Sequence, residues 1–168
     1  RKLTDELLQH ISPDLQAVAA NNMLLVGHSM GGIISKTFVQ NSGDTLWDTT
    51  FYRPAAELAV DDDTRRTLED IFIFTAKPYV KGVVFIDTPH RGAATADSWI
   101  GRLASMMITL PVTMKNVFGK MWLALTNDDI KPAMRGYMIG SGPNSVDVLS
   151  PKHPLVQQLT LLPLQVPV

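Results

Sequence analysis

The chain opens with apolar residues at helical spacing, Leu3, Leu7, Leu8 and Ile11, set among polar ones. Ser12-Pro13-Asp14 then reads as an N-cap with proline at the first helical position. A second short helix through Leu15 and Val18 is expected, ending near the turn signal Asn21-Asn22. Met23 to Val26 is a short continuous apolar run stopped by Gly27, the pattern of a strand buried on both faces. Helical spacing returns at Ile33, Ile34, Thr37 and Phe38, and a second continuous run, Val83 to Ile86, predicts another strand. Leu164 to Val168 is a third strand candidate, interrupted by Pro167. Strands alternating with helices predict an α/β architecture with a mostly parallel sheet flanked by helices.

Between the first two strands lies a helical insertion at about 43–79. It carries Phe51-Tyr52-Arg53-Pro54, then Asp61-Asp62-Asp63 ahead of a helix near Thr64 to Phe74. After the second strand, Trp99, Leu103, Met106, Met107 and Leu110 form one stripe. Met114, Val117, Phe118, Met121 and Leu125 form the next, with Pro111 breaking between them, so a helix pair is expected at about 96–126. Pro132 to Pro154 is rich in Gly, Pro, Ser and Asn and reads as loop, and Pro154 to Leu162 as a short final helix.

Composition narrows the function classes. Apolar residues make up 45% of the 168 and charged ones 18%, which is a globular balance and not a disordered one. Lys+Arg 15 against Asp+Glu 16 leaves a formal charge of -1, with no basic stripe for nucleic acid and no polybasic run for an anionic membrane. The absence of cysteine excludes a disulfide framework, a thiolate metal site and a cysteine nucleophile. No apolar run approaches the roughly 18 residues that a spanning helix needs, so no transmembrane segment is expected. No signal peptide is visible in a chain that starts at Arg1, and the compartment stays open.

Gly27-His28-Ser29-Met30-Gly31 matches G-x-S-x-G. Three such fixed positions arise by chance in roughly one chain of this size in twenty, so context must decide. The motif belongs between a buried strand and a helix, and here Met23–Val26 precedes it and Gly32–Gln40 follows it. A nucleophilic serine has to project from a sharp, strained turn. Its neighbours two positions away on each side then need to be nearly free of side chain, which Gly27 and Gly31 supply. The helix beginning at once behind it offers free N–H groups and a positive dipole end to a developing oxyanion, with the backbone N–H of Met30 as the expected donor.

At these residues the chain resembles a known family. Leu25-Val26-Gly27-His28-Ser29-Met30-Gly31-Gly32 looks like the nucleophile elbow of α/β-hydrolases in the bacterial lipase and esterase-like branch. Val84-Phe85-Ile86-Asp87-Thr88-Pro89-His90-Arg91-Gly92 resembles the strand and turn after the elbow helix. Asn144-Ser145-Val146-Asp147-Val148-Leu149-Ser150-Pro151 resembles a loop of bacterial lipase-like members. The resemblance implies that residues 1–168 are a partial α/β-hydrolase domain, with strands five and six and the start of seven. It implies Ser29 as nucleophile, and a catalytic acid and histidine that follow beyond Val168. One departure is Asp87, where relatives commonly carry a small residue.

The family order of Ser, acid, His is also met on paper by Ser29, Asp87 and His153. His153, however, precedes the last strand candidate, whereas the base normally follows strand eight. His28 should point away from its neighbour. His90 lies in a turn where bonding to backbone or Arg91 is the expected role, and His10 suits a helix end. The aspartate run 61–63 reads as a cation site or, more simply, as a helix cap. The Met/Trp-rich helix pair reads as a lid or as ordinary packing. The expected function is therefore a serine hydrolase cleaving a small-molecule carboxylic ester or lipid through an acyl-enzyme on Ser29, with no cofactor and no metal. Two alternatives remain open: an acyltransferase using the same nucleophile, and a non-catalytic domain of this fold that binds a partner.

Overall fold

The computed structural model describes residues 2–92, 125–126, 128–138 and 150–166. It divides into two compact units: Arg1–Asn41, Thr75–His90 and Leu162–Val168 in one, Ser42–Phe74 and Arg91–Leu161 in the other. The class is α/β, with helices and a small two-stranded parallel sheet among the described residues.

In the first unit α1 (Lys2–His10) is followed by α2 (Pro13–Asn22), which starts on Pro13 and runs straight into β1 (Met23–His28). α3 (Met30–Val39) follows after a single residue, and β2 (Val80–Ile86) returns parallel to β1. The register runs from Leu24 opposite Gly82 to His28 opposite Ile86, with a slip between Met23 and Leu24. Residues opposite each other on parallel strands share a face. Leu25, Val83 and Phe85 therefore look one way, onto the core formed by Phe38 and Val39 of α3 with Tyr79 and Val80. Leu24, Val26, Val84 and Ile86 look the other way and are 68%, 66%, 49% and 47% exposed. The expectation of a strand buried on both faces thus holds for one face only. The run is apolar on both sides, and α3 covers just one of them.

Polar contacts fix the unit's periphery. Lys77 and the Tyr79 hydroxyl both donate to the Asp5 carboxylate, at 2.7 and 2.8 Å, tying α1 to the segment that enters β2. Among the described residues the third strand candidate shows one antiparallel bridge, Gln40 with Leu164, supported by Gln165 N–H donating to the Val39 carbonyl at 2.8 Å. Pro163, next to that bridge, lacks the N–H group that a longer ladder would require.

In the second unit α4 (Thr45–Thr50), a 3₁₀ turn at Ala55–Glu57 and α5 (Asp62–Phe72) form one excursion. Its ends are tied where Ser42 N–H donates to the Phe74 carbonyl and Phe74 N–H to the Ser42 hydroxyl. Trp47, Phe51 and Phe72 stack within it, with ring centroids 4.5 to 6.1 Å apart. Asp61 caps α5 by accepting from Thr64 N–H at 2.8 Å, and Asp62 and Asp63 pair with Arg65 and Arg66. That geometry explains the aspartate run as a helix start.

The stretch read as loop from Pro132 contains α6 (Pro132–Met138), which packs on α4. Proline at its first position is compatible with a helix, and Met134, 2% exposed, anchors it. α7 (Pro154–Leu161) matches the expected final helix. The helix pair expected at 96–126 lies outside the described residues, apart from Leu125 and Thr126. No helix among the described residues is long and apolar enough to cross a membrane.

Candidate functional site

The junction of β1 and α3 is a reversal made by one residue. Ser29 has φ 54 and ψ −126, outside the regions open to an ordinary L-residue. Such a backbone costs about 1–3 kcal/mol and persists only where its surroundings over-determine it. The surroundings here do so. Ser29 N–H donates to the Ile86 carbonyl at the end of β2 (2.9 Å), and its own carbonyl accepts from Gly32 N–H at 3.0 Å.

Close approach of β1 to α3 completes the constraint. A Cβ on Gly27 would lie 2.5 Å from the Gly32 Cα and 2.8 Å from the Ser35 hydroxyl. A Cβ on Gly32 would lie 1.9 Å from the Thr88 hydroxyl oxygen, 2.5 Å from its methyl and 2.7 Å from its Cβ. Gly31, which the motif pattern picked out as the second obligatory glycine, meets nothing within 4 Å. The requirement for a bare backbone therefore falls on Gly27 and Gly32. The helix turns position 32 toward the β2 end and position 31 away from it.

Ser29 occupies the N-cap position of α3 but does not cap it. A capping serine has β-region backbone and accepts from an N–H in the first turn. The left-handed φ prevents this, and the half-buried Ser29 hydroxyl makes no hydrogen bond to any described residue. Behind it, the Met30 N–H likewise has no partner among the described residues, as expected for the first amide of a helix. A hydroxyl released from capping and a free amide at a positive helix end thus stand at consecutive residues.

The second turn at this edge follows β2. Asp87 has φ 48, a conformation in which aspartate is enriched among non-glycine residues, and its side chain is exposed. The turn folds Thr88 back so that its hydroxyl donates to the Gly27 carbonyl at 3.3 Å. Further on, the His90 ring stands edge-on to Phe85, with centroids 4.5 Å apart, and the His90 backbone N–H donates to the Thr88 carbonyl at 2.8 Å. Burial, and after it the Lys36 ammonium, holds the His90 imidazole below its usual range. Lys36 itself is 6% exposed, and burial lowers its ammonium from the ordinary lysine value.

The remaining histidines are occupied differently. His10 Nδ1 is 2.7 Å from the Glu6 carbonyl at the end of α1, and His28 is exposed at the last position of β1. His153 is buried in the second unit, where its Nδ1 accepts from Leu155 N–H at 3.2 Å. A triad histidine must instead donate from Nδ1 to its acid, so this ring is in the opposite state. No group of His, Asp and Glu among the described residues is arranged to hold a metal ion.

Sequence reading missed Gly32, Thr88 and Lys36. The glycine doublet and the Asp-Thr-Pro run after β2 were visible signals. Lys36 gave none, because a lysine on an amphipathic helix ordinarily lies on its solvated face. Comparison with protein-family models, curated proteins and solved structures finds no match.

Proposed function

We propose that the chain is the nucleophile-bearing part of a serine hydrolase with the α/β-hydrolase fold, acting on a small-molecule carboxylic ester or lipid. The reading rests on one observation: Ser29 combines a left-handed, non-capping backbone with a hydroxyl that has no partner among the described residues, between a strand end and a helix start. A capping serine has β-region backbone, and the left-handed φ of Ser29 prevents capping at a cost in strain. Strain of this kind clusters at active sites, and the nucleophile-elbow motif supplies the chemical reason for it here.

In the proposed reaction Oγ of Ser29 attacks the acyl carbonyl while a histidine takes the hydroxyl proton. The tetrahedral oxyanion accepts from the Met30 N–H, supported by the positive end of α3. The same histidine then protonates the leaving alcohol, and water hydrolyses the acyl-enzyme. In the α/β-hydrolase order the acid and then the histidine follow the serine along the chain. The state of the His153 ring argues against that residue as the base. The test is labelling of the intact protein with a serine-directed fluorophosphonate, comparing wild type with Ser29→Ala. Loss of label in the variant supports the reading, and equal labelling of both removes Ser29 from its role.

A further inference from the structure

The strained backbone of Ser29 needs a brace, and the side chain of Thr88 reaches both arms of the reversal from the end of β2. On the strand side its hydroxyl lies 3.3 Å from the Gly27 carbonyl, two residues before Ser29, and 3.5 Å from the Ile86 carbonyl. That Ile86 carbonyl is the acceptor for Ser29 N–H. On the helix side its hydroxyl, methyl and Cβ occupy the volume that a side chain at Gly32 would take, three residues after Ser29.

Two features keep Thr88 in that place. The left-handed Asp87 reverses the chain directly after β2, so Thr88 points back toward the reversal instead of continuing the strand. Threonine is also branched at Cβ, which restricts its χ1 and makes it a stiff wedge. Alanine would leave a gap beside Gly32, and a long unbranched side chain would not hold one position.

We propose that Thr88 is a positioning residue for Ser29, its side chain fixing the reversal by bridging the Gly27 carbonyl and the bare backbone of Gly32. The inference rests on the reading of Ser29 as nucleophile. Thr88 acts through the elbow and not on substrate, so its loss alters the rate of the chemical step and leaves substrate affinity alone.

The test uses Thr88→Ala and Thr88→Ser in the intact protein, with hydrolysis of a p-nitrophenyl ester followed beside wild type and Ser29→Ala. Small displacements of a catalytic group are expensive, up to about a hundredfold for 1 Å. Thr88→Ala is expected to lose at least about tenfold in kcat with KM within about twofold, and Thr88→Ser, which restores the hydroxyl, to recover most of the loss. If Thr88→Ala does not give the circular dichroism of the folded protein, Thr88→Val, which keeps the volume and removes the donor, is measured in its place with the same expected fall. A wild-type kcat in the alanine or valine variant, or a loss carried wholly by KM, overturns the positioning role while Ser29→Ala remains dead. Turnover that survives Ser29→Ala overturns the nucleophile assignment and the positioning role together.

Discussion

Exchanging Gly31 and Gly32 in turn for alanine separates two residues that the motif alone treats alike. Neither has a left-handed φ, so alanine is conformationally acceptable at both. Alanine over glycine within a helix is worth about 0.5–1 kcal/mol, and Gly31→Ala, which meets open space, should gain up to that amount. Gly32→Ala puts its Cβ 1.9 Å from the Thr88 hydroxyl oxygen, far short of the 3.4 Å at which ordinary contact begins. Rotating Thr88 does not relieve this, because the Thr88 Cβ itself would stand at 2.7 Å, so backbone must move. Overpacking of that kind costs about 1–3 kcal/mol. The helix gain is common to both and cancels, so the two variants should differ by the overpacking cost, about 2 kcal/mol. With a urea slope of about 1–3 kcal/mol/M, their unfolding midpoints separate by about 1 M, Gly32→Ala lying below wild type and Gly31→Ala at or above it. Adding Thr88→Ala to Gly32→Ala removes two of the three colliding atoms and should recover part of the loss, a coupling read from a double-mutant cycle. Equal midpoints for the two alanine variants would refute the packing of Gly32 on Thr88.

Three further outcomes follow from the polar contacts. Burial pushes the Asp5 carboxyl up, but hydrogen bonds from Lys77 and Tyr79 and the Lys77 charge outweigh it and hold the group below the ordinary 3.8. Its stabilising effect is therefore complete above the unfolded value and lost as pH falls through the lower folded one, so Asp5→Asn should destabilise at pH 7 and match wild type in strong acid. A gap that persists in strong acid would contradict this. Asp61→Ala removes the acceptor for Thr64 N–H and should cost about 1 kcal/mol in urea unfolding, with Asp61→Asn retaining most of it. Imidazole titration by NMR should find His90 below 6.5 and, in Lys36→Met, moved up only part of the way, because burial outranks the lysine charge as the cause. A full return to the ordinary value in that variant would reverse the ranking.

Elements whose local pattern and packing agree were legible in the sequence. β1, α3 and α7 follow from apolar runs and their stops, and Pro13 opens α2 as expected, although Ser12 before it makes no side-chain cap. β2 begins at Val80, earlier than its apolar run, because Lys81 and Gly82 disguise a segment that pairs with β1 through backbone hydrogen bonds. α6 was hidden by Pro132 and Gly136, which resemble loop chemistry until burial of Met134 outweighs them. The helical stripe assigned Ile34 to the buried face, yet it is 53% exposed while Lys36 is buried. Hydrophobicity could not forecast that exchange, because it depends on which face of α3 meets the strands. At the site, the position of Ser29 was legible from its motif. Its bracing by Gly32 and Thr88 was not, since contacts between residues 56 apart in sequence are set by the return of β2.

In the proposed reaction Ser29 carries the acyl group. The most direct measurement of this is rapid quenching of the intact protein during turnover of a p-nitrophenyl ester, followed by mass-spectrometric mapping of the acyl adduct. The acyl mass is expected on the peptide containing Ser29 and is expected to disappear in Ser29→Ala. An adduct on another residue, or ester hydrolysis with no covalent intermediate at Ser29, would contradict it.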